Sequence, residues 1–293
     1  MYSQIDNNKR NSFLLITFFI AFILFLGWIF GEITQSGYTG VIIAFFIALI
    51  MSLGGYFSGD KLALVSAGAK KISEEQNPYV LRMVENLAIT AGLPQPQVYI
   101  IDDPAPNAFA TGRNPKNASI ALTTGLIQKL ENEELEGVIA HELSHIKNYD
   151  IRFMTLVLVL VGIVSLLSHW FIRISFFGDR GKDNKSSVTS ILLIAGLILL
   201  ILSPLVAQLI KLAISRRREF LADASGALLT RYPQGLANAL EKISQYEKPL
   251  ARANGASAHL YIANPFGKSK QFMAKIFNTH PPIQKRIKAL RQM

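Results

Sequence analysis

Long apolar runs alternate with amphipathic stretches along this chain, and the alternation divides it into parts. Phe13–Phe30 is apolar throughout apart from Thr17, and Tyr38–Phe57 carries no charge over 20 residues. Each is long enough to cross a bilayer, which takes about 20 apolar residues in helical form. Two further runs, Phe153–Ile172 and Val188–Ile210, reach the same length, the last interrupted by Pro204. The second and third runs are separated by a stretch with the composition of a soluble domain. There Val80, Leu81, Val84, Leu87 and Ala88 recur at helical spacing and predict a helix over Pro78–Ala91. Asn77 is placed to cap it, Pro78 suits its first position, and Gly92 with Pro94 ends it. Gln97–Ile101 reads as a strand, as do Asn107–Thr111 and Ala118–Thr123 on either side of a turn at Gly112–Pro115.

A helix over Glu131–Asp150 follows: Leu130, Leu135, Val138 and Ile139 keep its period, and Glu131, Glu133 and Glu134 crowd the start, where the macrodipole favours negative charge. Beyond the fourth run, the helix is expected to continue through Ser215–Asp223. A further helix follows at Pro233–Tyr246, then an irregular stretch at Glu247–Ser269 with the character of a mobile flap. A basic helix opened by Pro281-Pro282 ends the chain. The pattern thus gives a transmembrane hairpin (residues 1–58), the first part of a soluble domain (59–152), a hydrophobic hairpin (153–211) and the second part of that domain (212–293). The expected fold is mainly α, with transmembrane helices and a cytoplasmic α+β domain holding a small antiparallel sheet.

Charge orients these parts. The chain of 293 residues carries a formal net charge of +10 and is 50% hydrophobic, with positive mean hydropathy. Lys9 and Arg10 precede the first run, and Lys61, Lys70 and Lys71 follow the second, so both flanks are expected on the cytoplasmic side. The basic residues therefore point to a lipid bilayer rather than to nucleic acid, for which no binding motif is present. The loop between the third and fourth runs conflicts with this topology. Arg173, Arg180, Lys182 and Lys185 outnumber Asp179 and Asp183 there, so a hairpin that enters the membrane only part-way is an alternative to two full spans. No cysteine is present, so any zinc must be held by histidine and carboxylate.

The most specific chemistry lies in His141-Glu142-Leu143-Ser144-His145. Residues four apart on a helix sit one turn apart on one face, so the two imidazoles can meet at one Zn²⁺. Glu142 lies about 100° around from His141, too far to share that point but near enough to act as general base on a water there. A third protein ligand is needed. The extended motif His-Glu-x-x-His-x-x-Gly-x-x-His is excluded, because Asn148 and Ile151 stand at its later positions. Downstream, Glu219 and Asp223 share a helix face. Glu219 reads as the third ligand, and Asp223 as the acceptor that fixes the outer nitrogen of a ligating histidine. A free sheet edge at Asn107-Ala108-Phe109-Ala110 could pair with an extended peptide, although an ordinary structural strand explains those residues as well.

Taken in order, His141–His145, the hydrophobic insertion and Arg216-Arg-Arg-Glu-Phe-Leu-Ala-Asp223 resemble the HtpX family of membrane zinc metalloproteases, relatives of the CAAX prenyl endoproteases. The two N-terminal runs, Asn107-Ala-Phe-Ala-Thr-Gly112 and Thr279-His-Pro-Pro282 extend the resemblance over essentially the whole chain. It implies a bacterial inner-membrane protease, its α+β part a zincin-like metalloprotease domain, that removes damaged membrane proteins under stress. One Zn²⁺ would sit on His141, His145 and Glu219, with Glu142 catalytic. The resemblance also favours Asn107 and Ala108 as substrate-binding. His280, in the shared motif, would stabilise the oxyanion or merely cap the last helix. A zinc-stabilised membrane scaffold without peptidase activity is the rival reading, and chelator-sensitive cleavage separates the two.

Overall fold

In a computed structural model, residues 2–33, 35–177, 216–267 and 281–293 are described. Helices α1 (Tyr2–Ile33) and α2 (Thr39–Ala67) contain the first two apolar runs, and both are long and apolar enough to cross a membrane. The inner face of α2 is a file of small buried residues: Gly40, Ala44, Ala48, Ser52, Gly55 and Gly59. Small side chains let neighbouring backbones approach, the usual route to helix packing where lipid supplies no hydrophobic drive. A Cβ on Gly27 of α1 would lie 2.8 Å from the carbonyl oxygen of Gly40. Large residues of α2 such as Phe46, Ile50 and Phe57 face outward. Both helices overrun their apolar stretches. α1 begins well before Phe13, and α2 continues past Asp60 and Lys61.

The third run lies within helix α6 (Asp150–Phe177), whose Phe153, Leu156, Val157 and Leu160 pack with Leu15, Phe19 and Ile23 of α1. The fourth run at 188–210 lies outside the described residues, as does His280.

The sheet has four strands in the order β1-β2-β4-β3: β1 (Ala69–Lys71), β2 (Gln97–Ile101), β4 (Asn117–Thr123) and β3 (Ala108–Asn114). It is mixed rather than antiparallel. β1 runs antiparallel to β2 and β3 antiparallel to β4, but β4 returns between β3 and β2 and so lies parallel to β2. The β3–β4 hairpin is tighter than the expected Gly112–Pro115 turn: both strands run on to Asn114 and Asn117, whose backbone N–H donates to Asn114 Oδ1 at 2.9 Å. β3 is left at the edge of the sheet.

Helix α3 (Pro78–Ala91) begins and ends where capping demands: Asn77 Oδ1 accepts from Val80 N–H at 3.1 Å, and Gly92 takes a left-handed conformation. α4 (Thr124–Lys129) leads into α5 (Asn132–Lys147). Glu134 of α5 accepts from the backbone of Glu131 at 2.8 Å, tying down an otherwise unpaired donor at the helix start. Helices α7 (Arg216–Thr230) and α8 (Pro233–Gln245) pack on α5, and α9 (Ile283–Leu290) closes the far side. The core between these helices and the sheet is aliphatic, with Val138, Ile139, Leu143, Ile120, Leu126 and Leu240 all fully buried.

Candidate metal centre

The continuous helix expected over Glu131–Asp150 is in fact two. α5 stops at Lys147, Tyr149 takes a positive φ of 61°, and Asp150 opens α6. On an unbroken helix Asp150 would lie about 140° around from His145. The break instead turns it back beneath α5, where its Oδ2 is 2.9 Å from His145 Nδ1.

His141, His145 and Glu219 converge, all three buried. The Nε2 atoms of the two histidines are 3.2 Å apart. Two nitrogens bound to one tetrahedral ion at about 2.0–2.1 Å stand about 3.4 Å apart, so the pair is already spaced for a shared metal. Glu219 comes from α7, with Oε1 3.6 Å from His145 Nε2 and Oε2 4.0 Å from His141 Nε2. α7 reaches this depth because Gly226 presents no side chain to α5: a Cβ there would be 3.0 Å from His141 N. All three donor atoms lie within 4.8 Å of one another. Two imidazoles and a carboxylate at this spacing fit a divalent ion.

Each histidine is oriented from behind. His141 Nδ1 is 3.0 Å from Asp223 Oδ1, the contact the sequence suggested. His145 uses Asp150, which helical periodicity had directed elsewhere. A further residue, Arg286 of α9, had no signal in the sequence beyond its place in a basic helix, yet it is 1% exposed. Its Nε and Nη2 donate to Asp223 at 2.8 and 2.7 Å, Nη1 donates to the carbonyl of Ile262 at 2.9 Å, and Nη1 also lies 3.5 Å from Glu219 Oε2.

The charges in this pocket are unbalanced. Burial drives the pKa of Glu142 up to about 7, helped by the negative charge of Glu219. Glu142 accepts a hydrogen bond from the backbone of Ala110, and its Oε1 has no hydrogen-bond partner among the described residues. Burial opposes charge on His145, but the hydrogen bond to Asp150 and the charges of Glu219, Asp150 and Glu142 outweigh it, and its pKa rises to about 9. Burial wins at His141, whose pKa is lowered. Asp223 falls to about 2: burial alone would raise it, and Arg286 with His141 overcomes that. A pocket that draws a proton onto His145 is short of positive charge, which a divalent cation would supply.

Asn107 and Ala108 lie at the edge strand beside this site, but both are buried and engaged. Ile262 N–H donates to the Ala108 carbonyl at 2.9 Å, and the Asn107 amide bonds the backbone of Ala263, donating at 3.1 Å and accepting at 3.4 Å. The stretch expected to be irregular thus runs along the edge here. His259, for which the sequence offers no partner, secures it by donating from Nε2 to the Met154 carbonyl of α6 at 2.9 Å.

A histidine pair on one helix, a carboxylate from a second and an acidic side chain beside them define a metallopeptidase, here joined to helices fit for a membrane. The chain matches the description "Peptidase family M48" over residues 74–293, and it belongs to that family. It is 46% identical over 293 residues to a "Protease HtpX homolog" of Tropheryma whipplei (strain Twist), covering 100% of this chain and 98% of the relative. Proteins with the same description from Caldanaerobacter subterraneus subsp. tengcongensis (44% over 296 residues, 100% and 98% covered) and Streptococcus gordonii (43% over 298 residues, all of both) are similar. Among solved structures, the crystal structure of S. mikatae Ste24p shares the fold, with a TM-score of 0.52 at 17% identity over 99% of this chain and 67% of that one.

Proposed function

We propose that this chain is a zinc metalloendopeptidase of the bacterial inner membrane, which cleaves misfolded or damaged membrane proteins at the cytoplasmic face. The convergence of His141, His145 and Glu219, with Glu142 one residue along the same helix, carries the reading. Zinc held by these three side chains would lower the pKa of a water and polarise a peptide carbonyl. Glu142 supplies the proton transfers: its carboxylate takes a proton from the attacking water and returns it to the leaving amine. Burial raises the pKa of Glu142 and a divalent cation beside it would lower it, so the loaded site would keep the carboxylate ionised and ready to accept. Asp150 pairs with His145 Nδ1, and Asp223 stands 3.0 Å from His141 Nδ1; protons held there would leave each Nε2 lone pair for the metal.

An extended substrate would pair with the Ala108 carbonyl and the Asn107 amide, the groups that now hold Ile262 and Ala263. It therefore takes the edge by displacing that stretch. His280 lies outside the described residues and is proposed to stabilise the oxyanion. Basic flanks on the first two helices support the cytoplasmic placement, and misfolded membrane proteins are the substrates within reach there.

The test is cleavage of an unfolded membrane protein by the purified full chain in detergent, before and after chelation and zinc restoration. Zinc-dependent cleavage is expected, and Glu219→Ala should lose the metal. Cleavage that survives complete chelation, or full zinc content in Glu219→Ala, would overturn the reading.

A further inference from the structure

The N-terminal helix reaches the metal centre through one side chain. Asn8 lies ahead of the apolar run of α1, yet it is only 4% exposed. Its Nδ2 donates both protons, to the Asn148 carbonyl at 2.8 Å and to Asp150 Oδ1 at 2.6 Å. Its Oδ1 accepts from Arg218 Nη1 of α7 at 3.2 Å. Two acceptors on one side and a guanidinium on the other leave only one orientation for the amide. Asp150 spends its other oxygen, Oδ2, on His145 Nδ1. An uninterrupted line of hydrogen bonds therefore runs from α1 through Asp150 to a nitrogen of the metal pocket.

The position of Asn8 is set by packing deeper in the hairpin, where Leu15, Phe19 and Ile23 of α1 are buried against α6. A shift of α1 would pull the amide from Asp150 and free that carboxylate to turn away from the ring. Only an amide satisfies this place. Leucine would take from the Asn148 carbonyl and from Asp150 Oδ1 the amide protons they accept, and aspartate would set two carboxylates in contact.

We infer that Asn8 is a positioning residue of the metal centre: it holds Asp150, and through Asp150 the ring of His145, in the orientation that binds metal. The first membrane helix is then a structural part of the metal site as well as an anchor, and metal affinity depends on its docking against α6. This rests on His145 being a metal ligand and goes beyond that reading in assigning a role to α1.

The experiment uses the full chain in detergent, with zinc affinity measured by chelator competition. The thermal midpoint of the metal-free form and the visible spectrum of the cobalt-loaded form are recorded alongside. The variants are Asn8→Leu, Asn8→Asp and, as a packing control, Ser12→Ala. Ser12 is buried on the same helix, and among the described residues its hydroxyl donates only to the carbonyl of Asn8. Loss of a group behind a metal-bound histidine typically weakens binding by about 10–100-fold. Both Asn8 variants should fall by at least about 10-fold, with an altered cobalt spectrum, while Ser12→Ala keeps wild-type affinity and spectrum. Wild-type zinc affinity in whichever Asn8 variant folds overturns the inference, and so does an equal loss in Ser12→Ala. If the wild-type chain or His145→Ala shows that His145 is no ligand at all, the reading beneath it fails instead.

Discussion

His141 and His145 present the same atom to the same point from one helix, but opposite ends of the chain hold them. Behind His141 stands a charged wall: Asp223, gripped by two nitrogens of Arg286 from the last helix. Behind His145 stands a wall that is partly neutral: Asp150, held at 2.6 Å by the Asn8 amide of the first helix, with Arg218 3.8 Å away. The difference shows in the rings. Arg286 absorbs the charge of Asp223, and burial keeps the proton off His141, whereas Asp150 retains enough negative potential to draw a proton to His145. One wall is built as a buried ion pair and the other by docking a membrane helix, so they should fail differently.

The largest effect should come from touching neither. Glu142→Gln keeps both walls and the ligands, so zinc content should be unchanged while cleavage falls by about 10²–10⁴-fold, the usual worth of a general base. Metal analysis beside a peptidase assay checks this, and retained activity would remove Glu142 from the chemistry.

Next is the charged wall. Arg286→Met strands the buried carboxylate of Asp223, and losing one partner of a buried pair costs about 3–5 kcal/mol. Unfolding of the solubilised chain should show that loss, and unchanged stability would mean that Arg286 is not structural. A direct comparison of the walls uses Asp223→Asn and Asp150→Asn. Each should weaken zinc binding by about 10–100-fold, but Asp223→Asn should destabilise the fold more, because it also removes the buried charge that two Arg286 nitrogens bond. Equal destabilisation would erase the distinction drawn between them.

The smallest effect is a slope with pH. In the metal-free chain the folded pKa of Glu142 is about 7 against 4.5, and that of His145 about 9 against 6.5. Between each pair of values the folded state holds a proton that the unfolded chain has released, so stability falls as pH rises. The His145 contribution is complete below about pH 6.5 and is lost as pH passes about 9. Thermal midpoints of the chelated chain should therefore decline across that window, and His145→Gln should flatten the decline. A slope unaffected by the substitution would show that His145 does not carry the proton.

Much of this arrangement could be read along the chain, and the unread parts share a cause. The helix at Pro78–Ala91 is legible to the residue, because Asn77, Pro78 and Gly92 act on their own backbone neighbours. The strand at Gln97–Ile101 and the histidine pair are equally local. The mixed sheet was not, since the run of β4 beside β2 depends on which strand the returning hairpin meets, and alternation of apolar residues is the same in either case. The occupied edge at Asn107 and Ala108 was missed because its cover, Ile262 and Ala263, comes from more than 150 positions away.

The sequence by itself determined the donor chemistry: two imidazoles one helical turn apart, an acid beside the first, and a second acidic pair four apart further on. These are consequences of the helical period, which fixes neighbours within a turn. Only the tertiary structure decided what stands behind the donors. Asp150 meets His145 because the backbone reverses at Tyr149, and Arg286 and Asn8 arrive from the two ends of the chain. Their hydrogen bonds join residues 63 and 142 positions apart. A period of 3.6 residues carries no information over such distances, and packing of whole helices supplies it.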